Sequence, residues 1–193
     1  MFTMMKKLFL IGVLSLAVSA CGSSGSMDYV KGTAGDTNAN LLELKLAAGD
    51  KIRVTVFGED KISGDYDIDT AGYVSLPLAG TVMAAGLSKP ELEKELARKL
   101  SGDYLKSPKV TVSVINFRPF FILGEVEKPG EYQYRSGMNA LSAMAMAGGP
   151  TYRASKSSIL IQRAGTTQIK EYPLDTTISI LPGDLVRVPE RYF

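Results

Sequence analysis

Apolar and polar residues alternate through 51–57, where Ile52, Val54 and Val56 are separated by Arg53 and Thr55. A period of two predicts a half-buried strand. Residues 109–116 repeat the pattern with Val110, Val112 and Val114. Between them the period changes. Leu92, Leu96 and Leu100 recur every fourth residue and predict one apolar stripe on a helix. Ser88-Lys89-Pro90-Glu91 starts that helix: Ser88 caps, Glu91 closes a capping box, and Pro90 fits the first turn. Glu95 and Lys99 form a favourable i,i+4 pair, and the other charges of 91–99 read as a solvated face. Residues 67–72 form a turn before a strand at 73–80, which Pro77 places at an edge or ends.

The stretch 120–150 is the densest in signals. Phe120-Phe121-Ile122-Leu123-Gly124 is an apolar run of strand formers. Pro129-Gly130 then predicts a type II turn, with Gly130 supplying the positive φ at the third position. Gly130→Val is expected to disrupt that hairpin. Residues 138–147 favour helix, and Gly148-Gly149-Pro150 stops it. Strand, turn, strand, helix and stop make a β-β-α unit. Residues 158–163 and 168–174 predict two more strands around a turn at Gly165. Finally, Gly183-Asp184-Leu185-Val186-Arg187-Val188 echoes Gly49-Asp50-Lys51-Ile52-Arg53-Val54. Each is a Gly-Asp turn launching an edge strand, with the carboxylate bonded to backbone N–H groups near the turn. That role explains Asp50 and Asp184 better than catalysis does. The echo is too short for a repeat architecture.

Residues 1–20 form a targeting segment. Lys6-Lys7 precede an apolar run at 8–18, too short to span a bilayer, and small residues then lead to Cys21. Residues 21–43 are rich in Gly, Ser, Thr, Asn and Asp and predict a flexible tether, with Tyr29 and Val30 as its only anchor points.

Composition narrows the chemistry. The 193 residues contain no His, no Trp and one Cys. A His-based triad, a His-metal site, a Cys cluster and an intrachain disulfide are all excluded for one chain. Lys and Arg total 22 against 20 Asp and Glu, and the difference of two is Lys6 and Lys7. The remainder is balanced, so bulk electrostatics predict no nucleic-acid partner. No catalytic residue, metal ligand or cofactor is expected.

Phe-Ile-Leu-Gly-Glu-Val-Glu-Lys-Pro-Gly-Glu-Tyr at 121–132, followed by Ala-Met-Ala-Gly-Gly, resembles the soluble ligand-binding β-grasp (SLBB) domain. Upstream, Ala48-Gly49-Asp50-Lys51-Ile52-Arg53-Val54, the stretch from Gly72 through Pro77 to Gly80, Ala85-Gly86-Leu87 and Ser107-Pro108-Lys109-Val110 resemble the polysaccharide biosynthesis/export domain. The motif residues are Gly49, Asp50, Gly72, Pro77, Gly80, Gly124, Pro129, Gly130, Gly148, Gly149, Gly183 and Asp184. The order resembles bacterial outer-membrane polysaccharide export proteins. It implies an α+β chain with an export domain at 44–116 and one β-grasp (SLBB) domain at 117–193. Val18-Ser19-Ala20-Cys21 resembles a lipoprotein lipobox, which implies lipidation of Cys21 and an outer-membrane anchor facing the periplasm.

The resemblance further implies a homo-oligomeric ring acting as a passive conduit for capsular or extracellular polysaccharide. Its implied partner is an inner-membrane polysaccharide co-polymerase, often with a tyrosine autokinase domain. Longer members end in a pore-lining amphipathic helix that this sequence lacks, which implies a separate outer-membrane β-barrel. An alternative is a periplasmic glycan- or ligand-binding lipoprotein, with Tyr132, Tyr134 and Tyr152 stacking on sugars or simply packing. A hydrolase built on Asp65/Asp67 or Asp67/Asp69 is a third reading, weakened because the surrounding glycines and Thr70 predict a loop.

Overall fold

The computed structural model describes residues 30–33, 44–101, 105–175 and 177–191; within them two helices and eleven strands form an α+β fold. The lipobox, Cys21 and most of the tether lie outside the described residues. No described helix is long and apolar enough to cross a membrane.

The alternating pattern at 51–57 becomes β2 (Lys51–Val56), with Ile52, Val54 and Val56 buried and Arg53 and Thr55 exposed. It is the middle strand of an antiparallel sheet, between β3 (Gly64–Asp67) and β6 (Val110–Asn116). Two expectations change here. The Gly49-Asp50 turn launches a central strand, not an edge strand. Asp65 and Asp67 lie on a strand rather than in a loop. Pairing with β2 overrides the weak strand propensity of Gly64-Asp65.

Pro77 ends β4 (Tyr73–Leu76), and a tight turn with Leu78 at φ 65° returns the chain as β5 (Gly80–Met83). The helix α1 (Lys89–Leu100) starts at Ser88, whose backbone N–H donates to Glu91 Oε2 at 2.7 Å. Leu92, Leu96 and Leu100 are fully buried, each stabilising by about 1.5–3 kcal/mol. They pack with Leu46, Val74 and Val112 in the first hydrophobic cluster. Glu95 pairs with Arg98 three residues on, at 2.5 Å, rather than with Lys99. The guanidinium fork bonds both carboxylate oxygens, which an ammonium cannot match.

The second sheet has six strands. With β1 (Val30–Lys31), β7 (Phe120–Gly124), β8 (Gly130–Tyr132), β9 (Ser158–Gln162), β10 (Ile169–Pro173) and β11 (Leu185–Val188), its order is β1-β10-β9-β11-β7-β8. β11 runs parallel to β7 and antiparallel to β9 in the interior. The second Gly-Asp turn therefore also launches a central strand. The helix α2 (Ala140–Met146) begins at Asn139, whose side chain accepts from Ser142 N. Ala140, Ala143 and Met144 join Phe120, Ile122 and Val186 in a second cluster.

The hairpin differs from its expected form. Gly130 lies inside β8 opposite Ile122, outside the positive-φ region, and a Cβ added there meets nothing within 4 Å. The type II turn at Pro129-Gly130 does not form. The connection from Gly124 to Gly130 instead bonds to the end of α2: Glu127 N donates to Gly149 O at 3.1 Å and Lys128 N to Ala147 O at 2.9 Å. Those tertiary bonds override the local turn preference. Positive φ falls on Gly124, Gly148 and Gly149, as it does on Gly72 and Gly80 in the first unit.

Candidate functional site at the two Gly-Asp turns

The two echoing segments build the same local device. Asp50 N donates to Ala47 O at 3.1 Å, and Ala47 N donates back to Asp50 Oδ2 at 2.9 Å. Asp184 N donates to Leu181 O at 3.2 Å, and Leu181 N donates to Asp184 Oδ2 at 2.7 Å. The glycine before each aspartate sits at positive φ, 87° for Gly49 and 80° for Gly183. Both carboxylates are buried, at 0% and 1% exposure.

A buried carboxylate needs a partner, and each finds an arginine. Arg118 donates from its backbone N to Asp50 Oδ1 at 2.8 Å and from Nη1 to Oδ2 at 3.1 Å. Arg163 donates from Nη1 to Asp184 Oδ2 and to Ser179 O. Sequence reasoning missed both arginines. A signal existed: each lies just past the strand antiparallel to a Gly-Asp strand, after Asn116 in β6 and Gln162 in β9.

Arg118 also joins the two units. It belongs to the connection Phe117-Arg118-Pro119 between β6 and β7. Gly183 N donates to Pro119 O at 3.0 Å, and Gln133 Nε2 donates to Phe117 O at 2.8 Å. A Cβ on Gly183 would lie 2.8 Å from Arg118 Nε, so the arginine crosses directly over the second turn. The connection is thus held by Asp50 on one side and Gly183 on the other.

The environments differ in hydrogen bonding. Burial raises the pKa of Asp184 to about 6, against the opposing pull of Arg163. Its Oδ1 is buried without a hydrogen-bond partner, whereas both oxygens of Asp50 accept.

The structure does not assemble the three tyrosines into a stacking platform. Tyr134 is buried and meets Phe117 edge-on at 5.5 Å; burial raises its pKa. Tyr132 packs against Phe120 at 6.0 Å, and its hydroxyl donates to Lys128 O at 2.5 Å. Tyr152 alone of the three exposes its ring, at 82%. Asp65 is bound by both arms of Arg53, at 2.6 and 2.9 Å, which lowers its pKa. Asp67 has Lys51 at 4.0 Å, and Asp69 accepts from Ala71 N and Tyr73 N. These carboxylates are occupied by structural partners. Among the described residues, no group of three or more Asp, Glu, His or Cys could hold a metal ion.

A three-stranded sheet with its helix, fastened through a short connection to a six-stranded sheet, defines a class of two-unit α+β proteins. Residues 39–115 match the polysaccharide biosynthesis/export protein family, and residues 119–178 match the SLBB domain. The chain belongs to the polysaccharide export protein family, one of export and transport proteins rather than enzymes. It is 30% identical over 137 residues to the exopolysaccharide production protein ExoF of Rhizobium meliloti (strain 1021), covering 70% of this chain and 31% of ExoF. It is 28% identical over 138 residues to the polysialic acid transport protein KpsD of Escherichia coli, covering 68% of this chain and 25% of KpsD. The chain matches about a quarter to a third of the length of these curated relatives.

Proposed function

We propose that this chain is a subunit of an apparatus that exports capsular or extracellular polysaccharide, with residues 44–116 as its export domain and 117–193 as its SLBB domain. The reading rests on the two matched domains standing in order. The relatives named for exopolysaccharide production and polysialic acid transport support it. Subunits pack side by side through heterologous contacts that close a ring. The polymer passes through a central opening. The apparatus works by shape, and no residue has to act as a catalyst. Cys21 carries the lipid that anchors the subunit to the outer membrane, facing the periplasm. The inner-membrane partner is a polysaccharide co-polymerase with a tyrosine autokinase domain.

Deleting the gene tests the reading. Surface polysaccharide should disappear while the lipid-linked repeat unit is still made. Normal surface polymer in the deletion strain, with no second copy to replace it, would overturn the export role. Electron micrographs of the detergent-extracted protein should show closed rings; monomers alone would overturn the conduit.

A further inference from the structure

The strand β1 precedes the first unit in sequence but pairs in the second. Val30 and Lys31 run parallel to Lys170 and Glu171 of β10 at the sheet edge, and Gly32 N donates to Glu171 O at 2.8 Å. The residue after the strand is chosen by its neighbour. A Cβ on Gly32 would stand 2.2 Å from Cε1 of Tyr172 and 2.4 Å from its Cζ. Any side chain there must push the ring aside. Tyr172 is only 2% exposed, and its other contacts include the Arg163 guanidinium, 5.8 Å from the ring centroid. The ring therefore has little room to yield. A shallow groove lined by Lys31, Gly32, Ser158, Glu171, Tyr172 and Pro173 marks the seam.

We propose that the edge of β10 is a strand-addition site for the chain's own tether, keyed by Gly32 on the face of Tyr172. The mode is β-augmentation: backbone hydrogen bonds hold the strand, and one close side-chain contact sets its register. The consequence concerns placement. Nine peptide steps separate Cys21 from Val30, a reach of about 30 Å at full extension. If Cys21 is the anchor, a part that rests on the function proposed above, the latch holds the SLBB sheet, not the export domain, beside the membrane. It also covers what would otherwise be the open edge of β10.

Hydrogen exchange on the full-length chain in detergent tests the latch. The Gly32 amide should exchange at least about tenfold more slowly than an unprotected amide. Gly32→Ala should abolish that protection through the Tyr172 clash, and Gly32→Pro should abolish pairing by removing the donor. Gly130→Ala, with open space around the new Cβ, is the control and should leave it intact. An unprotected Gly32 amide in the native protein, or protection at that position that survives Gly32→Ala, would overturn the latch. A Lys31→Cys, Glu171→Cys chain should form its disulfide within one chain; a disulfide joining two chains would overturn the intramolecular arrangement. Energy transfer to a headgroup-labelled lipid then reads placement in vesicles carrying the lipidated protein. A donor at Lys156→Cys should transfer more strongly than one at Lys94→Cys, and Gly32→Pro should shrink that difference. Equal transfer from an acylated chain would overturn the placement. An unmodified Cys21 by mass spectrometry would overturn the anchor instead, and the exchange result would stand apart from it.

Discussion

The two Gly-Asp turns share a six-residue frame, a reciprocal backbone clasp and an arginine partner, yet they serve different ends. Asp50 draws its arginine from the connection between the units. Its three donors are Ala47 N, Arg118 N and the Arg118 side chain. Asp184 draws its arginine from inside its own sheet, at the end of β9, and leaves Oδ1 without a partner. The first turn is a fastening between units. The second is a support within one unit, on which the fastening rests through Gly183. One short motif can thus close a turn locally or reach across a boundary, and the position of the basic residue decides which.

The largest effect should come from Asp50→Ala. It leaves Ala47 N, Arg118 N and a four-fifths-buried guanidinium without their acceptor. Removing one partner of a buried, hydrogen-bonded pair costs about 3–5 kcal/mol. Urea denaturation should show a loss of that size. A loss below about 1 kcal/mol would mean that the fastening is not where the units are held.

Much of this architecture was legible in the sequence because its causes are local. The period-four leucines, the Ser88 start and the alternating valines specify α1, β2 and β6 without outside help. The Asp-to-backbone bonds at both turns follow from spacing alone. The arginines did not follow, because Arg118 lies 68 residues from Asp50 and only sheet register brings it back. The same holds for β1, a two-residue strand whose partner is 140 positions away. β3 was hidden by Gly64 and two aspartates, residues that favour strand only once β2 pairs with them. Among the three tyrosines, exposure depended on whether Phe117 and Phe120 packed against them, which no local pattern records.

The second effect in size is a pH dependence at the second turn. Asp184 in the folded chain holds its proton up to about pH 6, while an unfolded aspartate loses it near 4. Below about pH 4 both states are protonated. Between about 4 and 6 only the folded state is, so stability falls as pH rises through that window. The loss is complete above about 6 and amounts to roughly 3 kcal/mol. Asp184→Asn keeps an acceptor for Leu181 N but cannot titrate. Denaturation midpoints measured from pH 4 to 7 should show a flatter profile for the variant than for the native chain. Parallel profiles would mean that Asp184 does not hold its proton through that window.

The two glycines sharpen the contrast on a smaller scale. Gly49→Ala meets only Arg118 Cβ, at 3.6 Å, so its cost is the positive φ, about 1–2 kcal/mol. Gly183→Ala carries the same strain and also brings its Cβ to 2.8 Å from Arg118 Nε and 3.0 Å from Ala164 Cβ. Arg118 cannot swing away without loosening Asp50. Gly183→Ala should therefore be the more destabilising by about 1 kcal/mol or more. Equal melting temperatures for the two variants would mean that Arg118 yields freely and does not bridge the turns.

The smallest effect is expected at Gly130, where the family motif places a glycine that the backbone does not require. The turns demand glycine because φ lies near 80–87°; Gly130 lies in β8 outside the positive-φ region, opposite Ile122, with open space where a side chain would go. A β-branched residue suits an extended backbone. Gly130→Val should therefore leave stability within about 0.5 kcal/mol of the native chain, the range of surface changes that touch no special feature. It should also leave the bonds from Glu127 and Lys128 to the end of α2 intact, since those are made by backbone upstream of the substitution. Thermal melting decides it. A loss above about 1.5 kcal/mol would be the signature of a strained left-handed residue. That outcome would restore the type II turn at Pro129-Gly130, and Gly130 would join Gly49 and Gly183 as a glycine the backbone demands.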